Sequence, residues 1–278
     1  MTAYYFELHH LSHIYADGTT ALTDISLQIP RGKKIAILGH NGAGKSTLFQ
    51  HLNGILKPTT GTISFQGNKL QYSSKALKTL RQQVGIVFQD ADHQLFSGTV
   101  KQDIAYGPLN LGWSTEKIEE KIAWAVAQTE VENLLDKPIH FLSVGQKKRV
   151  AMAGVLAMEP SVLLLDEPTA GLDHYYATQV LQYLAKLEDG ERTILLATHD
   201  IQLAYEWAEQ IIVMEAGSII YNGDPITLFY NEELLKRAHL ERPWVFAMAM
   251  LLQEKKILTS KEPIPRSRDD LHRLIQQL

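Results

Sequence analysis

The nine residues 39–47, with the sequence GHNGAGKST, constrain the fold of this chain more than any other segment. They match the pattern G-x-x-x-x-G-K-[ST], they follow a short apolar run at 34–38, and they open a segment with helical spacing. In that setting the glycines let backbone N–H groups point inward, and the helix N-terminus adds partial positive charge. A strand, this loop and a helix in that order predict an α/β fold that binds the phosphates of a nucleoside triphosphate.

Two side chains in this loop have predicted roles. Lys45 would reach the β- and γ-phosphates, and the hydroxyl of Ser46 would bind Mg²⁺. Kinases, GTPases and transport ATPases all use such a loop, so the loop alone does not choose among them. The residues predicted to surround the nucleotide here are Gly39, His40, Asn41, Gly42, Ala43, Gly44, Lys45, Ser46 and Thr47.

A second functional segment follows the apolar run at 162–165. This run reads VLLL, which indicates a buried strand, and it leads into Asp166 and Glu167. Such a strand delivers the residues at its end to the carboxyl edge of the sheet, where open α/β sheets bind ligands. We therefore predict that Asp166 holds Mg²⁺ and that Glu167 polarises the attacking water as general base.

Strand and helix patterns alternate along much of the chain, which predicts a mostly parallel sheet with helices on its faces. The segment from about 90 to 158 is instead dominated by helical spacing, and the residues beyond about 225 form a more polar, helical tail. The predicted elements are strands at 4–15, 21–29, 34–38, 61–65, 84–88, 162–165 and 193–198, helices at 46–52, 116–135, 144–158, 175–187 and 201–208, and a hairpin at 211–221.

Composition narrows the class of protein further. The 278 residues include no cysteine, which excludes disulfides and thiolate metal sites and favours a reducing compartment. With 27 Lys+Arg against 31 Asp+Glu, the net charge of −4 gives no general reason to expect a nucleic-acid partner. The longest apolar run, at 244–252, is about half of what a bilayer requires, and the first residues do not resemble a signal peptide. We therefore expect a cytoplasmic globular protein.

Five further segments together resemble the motif set of ABC-type ATPases. Residues 142–146, LSVGQ, open a predicted helix and resemble the signature motif, which is normally L-S-G-G-Q. Gln89 matches the glutamine loop, 171–173 (GLD) matches the D-loop, and His199 matches the switch histidine. Tyr15 lies where the family stacks an aromatic ring on adenine. This resemblance covers roughly residues 5–222.

The resemblance implies a P-loop NTPase with a RecA-like core, an antiparallel β subdomain and a helical signature subdomain at about 90–158. The ATPase domain would comprise 1–224, and 225–278 would form a helical C-terminal extension. In this family two copies pack head to tail and sandwich two ATP molecules, because the signature lies too far from its own phosphate loop. One subunit would contribute Lys45, Gln89, Asp166, Glu167 and His199 to each pocket, and the other subunit would contribute Ser143, Gly145 and Gln146. Gln89 would also bind Mg²⁺.

One position departs from the signature motif. Val144 stands where the first signature glycine is usual, so backbone approach to the γ-phosphate is less free at this point. Ser143, Gly145 and the helix N-terminus remain. We therefore expect weaker or slower engagement of ATP rather than its loss.

The segments 90–96 (DADHQLF) and 105–110 (AYGPLN) are similar to those of energy-coupling factor (ECF) importer ATPases, most of all the cobalt/nickel (CbiO-type) branch. The vitamin-importing branch shares most of these residues and is the alternative. The resemblance implies three partners: a second ATPase subunit, identical or a paralogue, a transmembrane coupling subunit, and a substrate-binding membrane component. Asp90 and Asp92 would dock the coupling subunit through arginines, and the chain would lie peripherally on the cytoplasmic face of the membrane.

Two other classes of function are weighed against this one. A soluble ABC-type ATPase acting on DNA or ribosomes would carry a long coiled-coil insert or a second cassette. If the chain were instead a P-loop kinase or GTPase, its signature motif and His199 would be coincidental.

Three other segments are interpreted as structural. The histidines His9, His10 and His13 are expected to be structural or at the surface, since 9 and 13 would share one face of a strand while 10 points away. The segment 147–149 is expected to form a solvated helix face. The segment 244–250 is expected to form a packing face, and we expect the tail to contribute to dimer contact.

Overall fold

The computed structural model describes residues 3–172, 174–187, 191–259 and 263–276. Its strands form a four-stranded sheet in the order β2-β1-β4-β5 and a six-stranded sheet in the order β10-β9-β3-β8-β7-β6. The strands are β1 (Tyr4–Ile14), β2 (Thr20–Pro30), β3 (Lys34–Leu38), β4 (Thr60–Phe65), β5 (Asn68–Lys69), β6 (Val84–Val87), β7 (Val162–Asp166), β8 (Thr193–Thr198), β9 (Gln210–Glu215) and β10 (Ser218–Gly223).

The six-stranded sheet is parallel except for its edge pair β9–β10, which is the predicted hairpin. Its central strands are buried on both faces, so they read as continuous apolar runs instead of alternating ones. In β3, Ile35 and Ile37 face the core beneath the antiparallel sheet, whereas Ala36 and Leu38 face the core shared with the helices. The predicted mostly parallel sheet is confirmed.

The four-stranded sheet is antiparallel and covers one face of the central sheet. Its strand β1 departs from the predicted alternation. His10 has a left-handed backbone (φ 50°), and the pairing register shifts between Leu8 and Leu11. This bulge changes which face the following residues occupy, so His9 is exposed while His13 is buried. The prediction that residues 9 and 13 share a face is therefore wrong. Within the described part of the chain, no group of three metal-ligating side chains forms.

The helices agree with the predicted pattern except at several ends and in two omissions. Helices α2 and α3 are not among the predicted elements: Leu80 is the one buried residue of α2, and α3 contains Pro108. The helix predicted at 116–135 ends at Thr129, because Glu130 takes a left-handed conformation (φ 53°). The helices are α1 (Lys45–Leu52), α2 (Ser74–Gln83), α3 (Val100–Leu111), α4 (Thr115–Thr129), α5 (Val144–Leu156), α6 (His174–Lys186), α7 (Ile201–Trp207), α8 (Pro225–Tyr230), α9 (Glu232–Ala238), α10 (Trp244–Glu254) and α11 (Arg268–Gln276).

The C-terminal helices α8, α9 and α10 pack on the same hydrophobic core as the central sheet. Phe229 and Phe246 each meet the ring of Tyr205 edge to face, at centroid distances of 5.3 and 5.8 Å. Arg266 donates to the carbonyls of Tyr205 and Ala208, which fixes the segment before α11 to the end of α7. A boundary at residue 224 stays a prediction. In α10, Phe246 is buried whereas Trp244 is half exposed, so the predicted packing face is only partly covered. No helix among the described residues is long and apolar enough to cross a membrane.

Candidate active site

The phosphate loop connects the end of β3 to the start of α1 at the carboxyl edge of the parallel strands. Gly44 illustrates why the loop requires glycine. Its φ is 102°, and a Cβ at this position would lie 2.7 Å from the carbonyl oxygen of Ala21. A larger residue would therefore push the loop away from β2 and change the position of the α1 N-terminus.

Lys45 is buried, and its ammonium lies within the loop. Its Nζ donates to the carbonyl oxygens of Gly39 at 2.5 Å and His40 at 3.2 Å. The same nitrogen lies 3.6 Å from Oε1 of Glu167. The sequence placed this lysine at the phosphates, and the structure places it between the loop and the acidic pair.

The two acids follow from the end of β7, and both are almost fully buried. The pKa of Asp166 is raised above its ordinary value, mainly because the carboxyl is buried and in part because Glu167 is negatively charged. The hydroxyl of Ser46 and the ammonium of Lys45 act in the opposite direction and lower this pKa. Oδ1 of Asp166 has no hydrogen-bond partner among the described residues. Glu167 has a left-handed backbone (φ 47°), and its N–H donates to the carbonyl of Ala197 at 2.9 Å.

His199 follows the end of β8 and contacts the carboxylate of Glu167. Its Nδ1 lies 2.9 Å from Oε2 of Glu167, and its ring is 67% exposed whereas the Glu167 side chain is 6% exposed. Glu167 is thus held by Lys45 on one oxygen and by His199 on the other. A carboxylate oriented in this way, next to a phosphate-binding loop, can accept a proton from water.

The buried histidines His13 and His51 lie behind Tyr15, and no sequence motif predicts that their rings meet. The hydroxyl of Tyr15 lies 2.9 Å from Oγ1 of Thr47. His13 meets the rings of Tyr15 and His51 edge to face, at 4.8 and 4.6 Å. His51 hydrogen-bonds through Nδ1 to the carbonyl of Thr47, one turn earlier in α1, and burial lowers the pKa of His51. The pair therefore connects the aromatic residue predicted for adenine to the helix that follows the phosphate loop.

A cavity of about 370 Å³ joins most of the predicted nucleotide-binding residues. Its lining includes Tyr15, the loop from His40 to Thr47, Gln89, Asp166 and Glu167. Gln89 is exposed and comes two residues after the end of β6, not directly after it as the predicted strand implied. Among the described residues that line this cavity, none belongs to the signature segment.

The signature segment forms the N-terminus of α5. Oγ of Ser143 accepts the N–H of Gln146 at 3.3 Å, and Oε1 of Gln146 accepts the N–H of Ser143 at 3.0 Å. This reciprocal capping box explains two of the signature residues as local helix-starting residues. Gly145 is buried, whereas Val144 is 57% exposed, so the valine is accommodated without crowding the interior of this chain.

The segment 147–149 is not the solvated helix face that the sequence predicted. Lys148 is buried, and its Nζ donates to three backbone carbonyls, those of Glu167, Pro168 and Ala170. Lys147 instead pairs with Asp92 at 2.5 Å. Charged residues that follow a signature-like motif look solvent-exposed in sequence, so only the structure identifies Lys148 as part of the site's surroundings.

The predicted docking carboxylates and the described part of the segment matching the D-loop make contacts within the chain. Asp90 accepts the N–H of Asp92 and pairs with His93 at 3.0 Å, so both predicted docking carboxylates have partners within the chain. Of the segment matching the D-loop, Gly171 and Leu172 form a turn closed by the N–H of Leu172 on the carbonyl of Thr169. Asp173 lies outside the described residues.

Helix α9 and the residue that follows it also reach the phosphate loop. The ring of His239, at the end of α9, meets the ring of His40 at a centroid distance of 5.8 Å. Arg237 of the same helix pairs with Glu215 at 3.1 Å, beside Met214, whose carbonyl packs against Gly39. No sequence motif predicts this contact, because it depends on how the tail returns to the sheet.

Comparisons with known proteins show the family to which this chain belongs. A family model described as ABC transporter matches residues 22–170. The energy-coupling factor transporter ATP-binding protein EcfA3 of Clostridium perfringens is 44% identical over 256 residues, which are 92% of this chain and 90% of that protein.

Two solved structures have a similar fold. CbiO1 of Clostridium perfringens, part of the ABC transporter complex CbiONQ, superposes with a TM-score of 0.76 at 42% identity, covering 92% of this chain and all of that one. A dimeric ATP-binding cassette bound to ADP and Pi in a post-hydrolysis state gives a TM-score of 0.72 at 28% identity, covering 79% of this chain and 98% of that one. The chain therefore belongs to the ABC transporter family, in its energy-coupling factor branch, and it is an ATPase with the P-loop NTPase fold.

Proposed function

We propose that this ATPase energises an ECF-type importer whose cargo is cobalt or nickel ions, from the cytoplasmic face of the membrane. The single observation that carries its role in hydrolysis is Glu167, held between Lys45 and His199 at the edge of the phosphate-loop cavity. The cargo is supported by the likeness to CbiO1 over 92% of the chain. The alternative cargo is a vitamin, since the vitamin-importing branch shares most of the residues that carry the resemblance.

The residues present fit Mg²⁺ together with the triphosphate. Asp166 offers a buried carboxylate oxygen without a partner, the hydroxyl of Ser46 lies beside it, and Gln89 lines the same cavity. Oxygen ligands of this kind suit Mg²⁺. When bound, Mg²⁺ neutralises charge on the β- and γ-phosphates. Ser46, Gln89 and Asp166 would hold it.

Hydrolysis then follows from the arrangement around Glu167. Lys45 exchanges its carbonyl partners for phosphate oxygens, and Glu167 accepts a proton from the water as the water oxygen bonds to the γ-phosphorus. The bond from that phosphorus to the leaving ADP oxygen breaks, which gives ADP and phosphate. His199 keeps the carboxylate directed at the water through its contact with Oε2.

The position of the signature segment supports a head-to-tail dimer. Ser143, Val144 and Gln146 lie on the surface or near it, at the N-terminus of α5, and are not part of the cavity that holds the phosphate loop. A second copy, or a paralogue, would bring its own signature to that cavity. In such a dimer Val144 would meet the partner's nucleotide and not this chain's own.

A groove of about 710 Å³ between α2, α3 and α5 is the proposed docking surface for the transmembrane coupling subunit. Phe96 and Tyr106 meet edge to face at 4.7 Å in this groove and are 66% and 50% exposed. The segment that carries Asp90 and Asp92 leads directly into it. Exposed aromatic residues of this kind are typical anchors for an apolar helix.

The first prediction is that the buried carboxylate of Asp166 lowers the thermal stability of the chain. Burial raises the pKa of Asp166, so its carboxylate opposes folding at neutral pH, and the unfolded chain holds the charge more easily. Asp166→Asn should raise the Tm by about 2–4 °C at pH 8 without Mg²⁺ or ATP. The gain should shrink as the pH falls toward the raised pKa, because the carboxyl of the parent then becomes neutral as well. Thermal unfolding at several pH values checks this, and a variant that is less stable at pH 8 contradicts it.

The second prediction tests the general base. Glu167→Gln keeps the side-chain shape but removes the proton acceptor, so turnover of ATP should fall by about 10²–10⁴-fold while ATP binding persists. The same variant should accumulate as an ATP-bound dimer, measured by light scattering with size exclusion. Glu209→Gln, which changes a surface carboxylate paired with Lys33, is the matched control. Turnover within a few-fold of the parent would remove Glu167 from this role.

The third prediction uses the absence of cysteine from the chain. In a head-to-tail dimer, a cysteine at Asn41 of one copy lies near a cysteine at Val144 of the other. The double variant Asn41→Cys/Val144→Cys, with Glu167→Gln to retain ATP, should form an ATP-dependent dimer band under oxidising conditions. Each single cysteine variant serves as a control. A double variant that cross-links no better with ATP than without it speaks against this arrangement.

The fourth prediction concerns the membrane partners. The tagged chain, extracted in detergent, should co-purify with two integral membrane proteins identified by mass spectrometry, and Phe96→Asp/Tyr106→Asp should abolish this while leaving basal ATPase activity intact. Ile275→Asp, which changes an exposed apolar residue on α11, is the control. Recovery with ribosomes or DNA instead would favour the soluble ABC-type ATPase.

A further inference from the structure

Lys148 lies on α5, the helix that begins at the signature segment, and its buried ammonium donates hydrogen bonds to backbone carbonyls. It lies two residues after Gln146, and its side chain is 6% exposed. Nζ is 3.2 Å from the carbonyl oxygen of Glu167, 3.2 Å from that of Pro168 and 2.6 Å from that of Ala170. An ammonium has three donors, and each finds an acceptor in the segment that follows β7.

This segment contains the proposed base in an unusual backbone conformation. Glu167 has a φ of 47°, which is uncommon for a residue with a side chain. Its carbonyl accepts both Nζ of Lys148 and the N–H of Ala170, the latter at 3.1 Å. Lys148 therefore fixes the Glu167 backbone from the side of the helical region, while Lys45 and His199 fix the carboxylate.

A purely packing role does not explain a lysine at this position. Removing an ammonium from water is unfavourable, and burial lowers the pKa of Lys148, whereas the nearby charges of Glu167 and Asp90 raise it. An apolar side chain would fill the same space without that penalty. The neighbouring Lys147 is tied to Asp92 and not to the base segment, so the contact is specific to Lys148.

We infer that Lys148 is a positioning residue that couples the signature helix α5 to the general base Glu167 of the same chain. The inference rests on the proposed function, in which the N-terminus of α5 meets ATP held by the partner. If α5 shifts when it meets ATP, Lys148 would move with it and would displace the backbone of Glu167 and the turn at Gly171. Occupancy of one pocket would thereby set the geometry of the base in the other.

The test compares Lys148→Met with Lys147→Met in the full chain, measuring steady-state ATPase activity, ATP affinity and the Tm. Lys148→Met should lower kcat by about 10- to 100-fold, since the base is misplaced, with KM and ATP affinity nearly unchanged. Lys148→Arg should recover part of the loss, because the guanidinium also donates several N–H groups. Lys147→Met should retain the turnover of the parent.

Two results would overturn the inference. The first is a Lys148→Met variant with the kcat of the parent, measured alongside a Glu167→Gln variant that is strongly impaired. The second is a loss of kcat that accompanies a loss of ATP binding or of folding and that Lys148→Arg does not relieve, which would make the residue structural only. If Glu167→Gln itself retains full turnover, the assignment of the base fails instead, and the two failures are thus distinguished.

Discussion

The structure depends on a small group of charges that the sheet holds away from water. Lys45, Asp166 and Glu167 are each less than a tenth exposed, and they come from two different strand ends. Buried charges are tolerated only when partners surround them. Here the partners are backbone carbonyls of the phosphate loop for Lys45, and Lys45 and His199 for Glu167. One oxygen of Asp166 has no hydrogen-bond partner among the described residues, which supports the proposal that Asp166 holds a cation.

The rest of the fold serves to bring those strand ends together. The parallel register of β3 with β8 and of β8 with β7 aligns the carboxyl ends of three strands, so that Lys45, His199 and Glu167 meet although 154 residues separate the first of them from His199 in the sequence. The antiparallel sheet closes the outer face of the loop, and β9 supports it from the other side through Met214.

Much of this could be predicted from the sequence, because the signals are local. A buried strand, the glycine loop and a helix N-terminus occur within twenty residues, and the acids directly follow an apolar run. What could not be predicted depends on distant parts of the chain. The bulge at His10 reverses a strand face, the pairing of His13 with His51 joins two elements, and the burial of Lys148 requires that α5 pack against the segment after β7. Each of these is a tertiary contact without a local pattern.

Val144, which stands where the signature motif usually has glycine, lies at the exposed start of α5. Val144 is 57% exposed, and the Ser143–Gln146 capping box satisfies the start of its helix, so none of the described contacts within the chain requires glycine at this position. In the proposed head-to-tail dimer, an effect of the valine would fall on the nucleotide held by the other subunit. If Lys148 passes the position of α5 to Glu167, a helix that approaches the partner's ATP less closely would also orient its own base less well. A single substitution at the surface of one chain would then slow both pockets of the dimer.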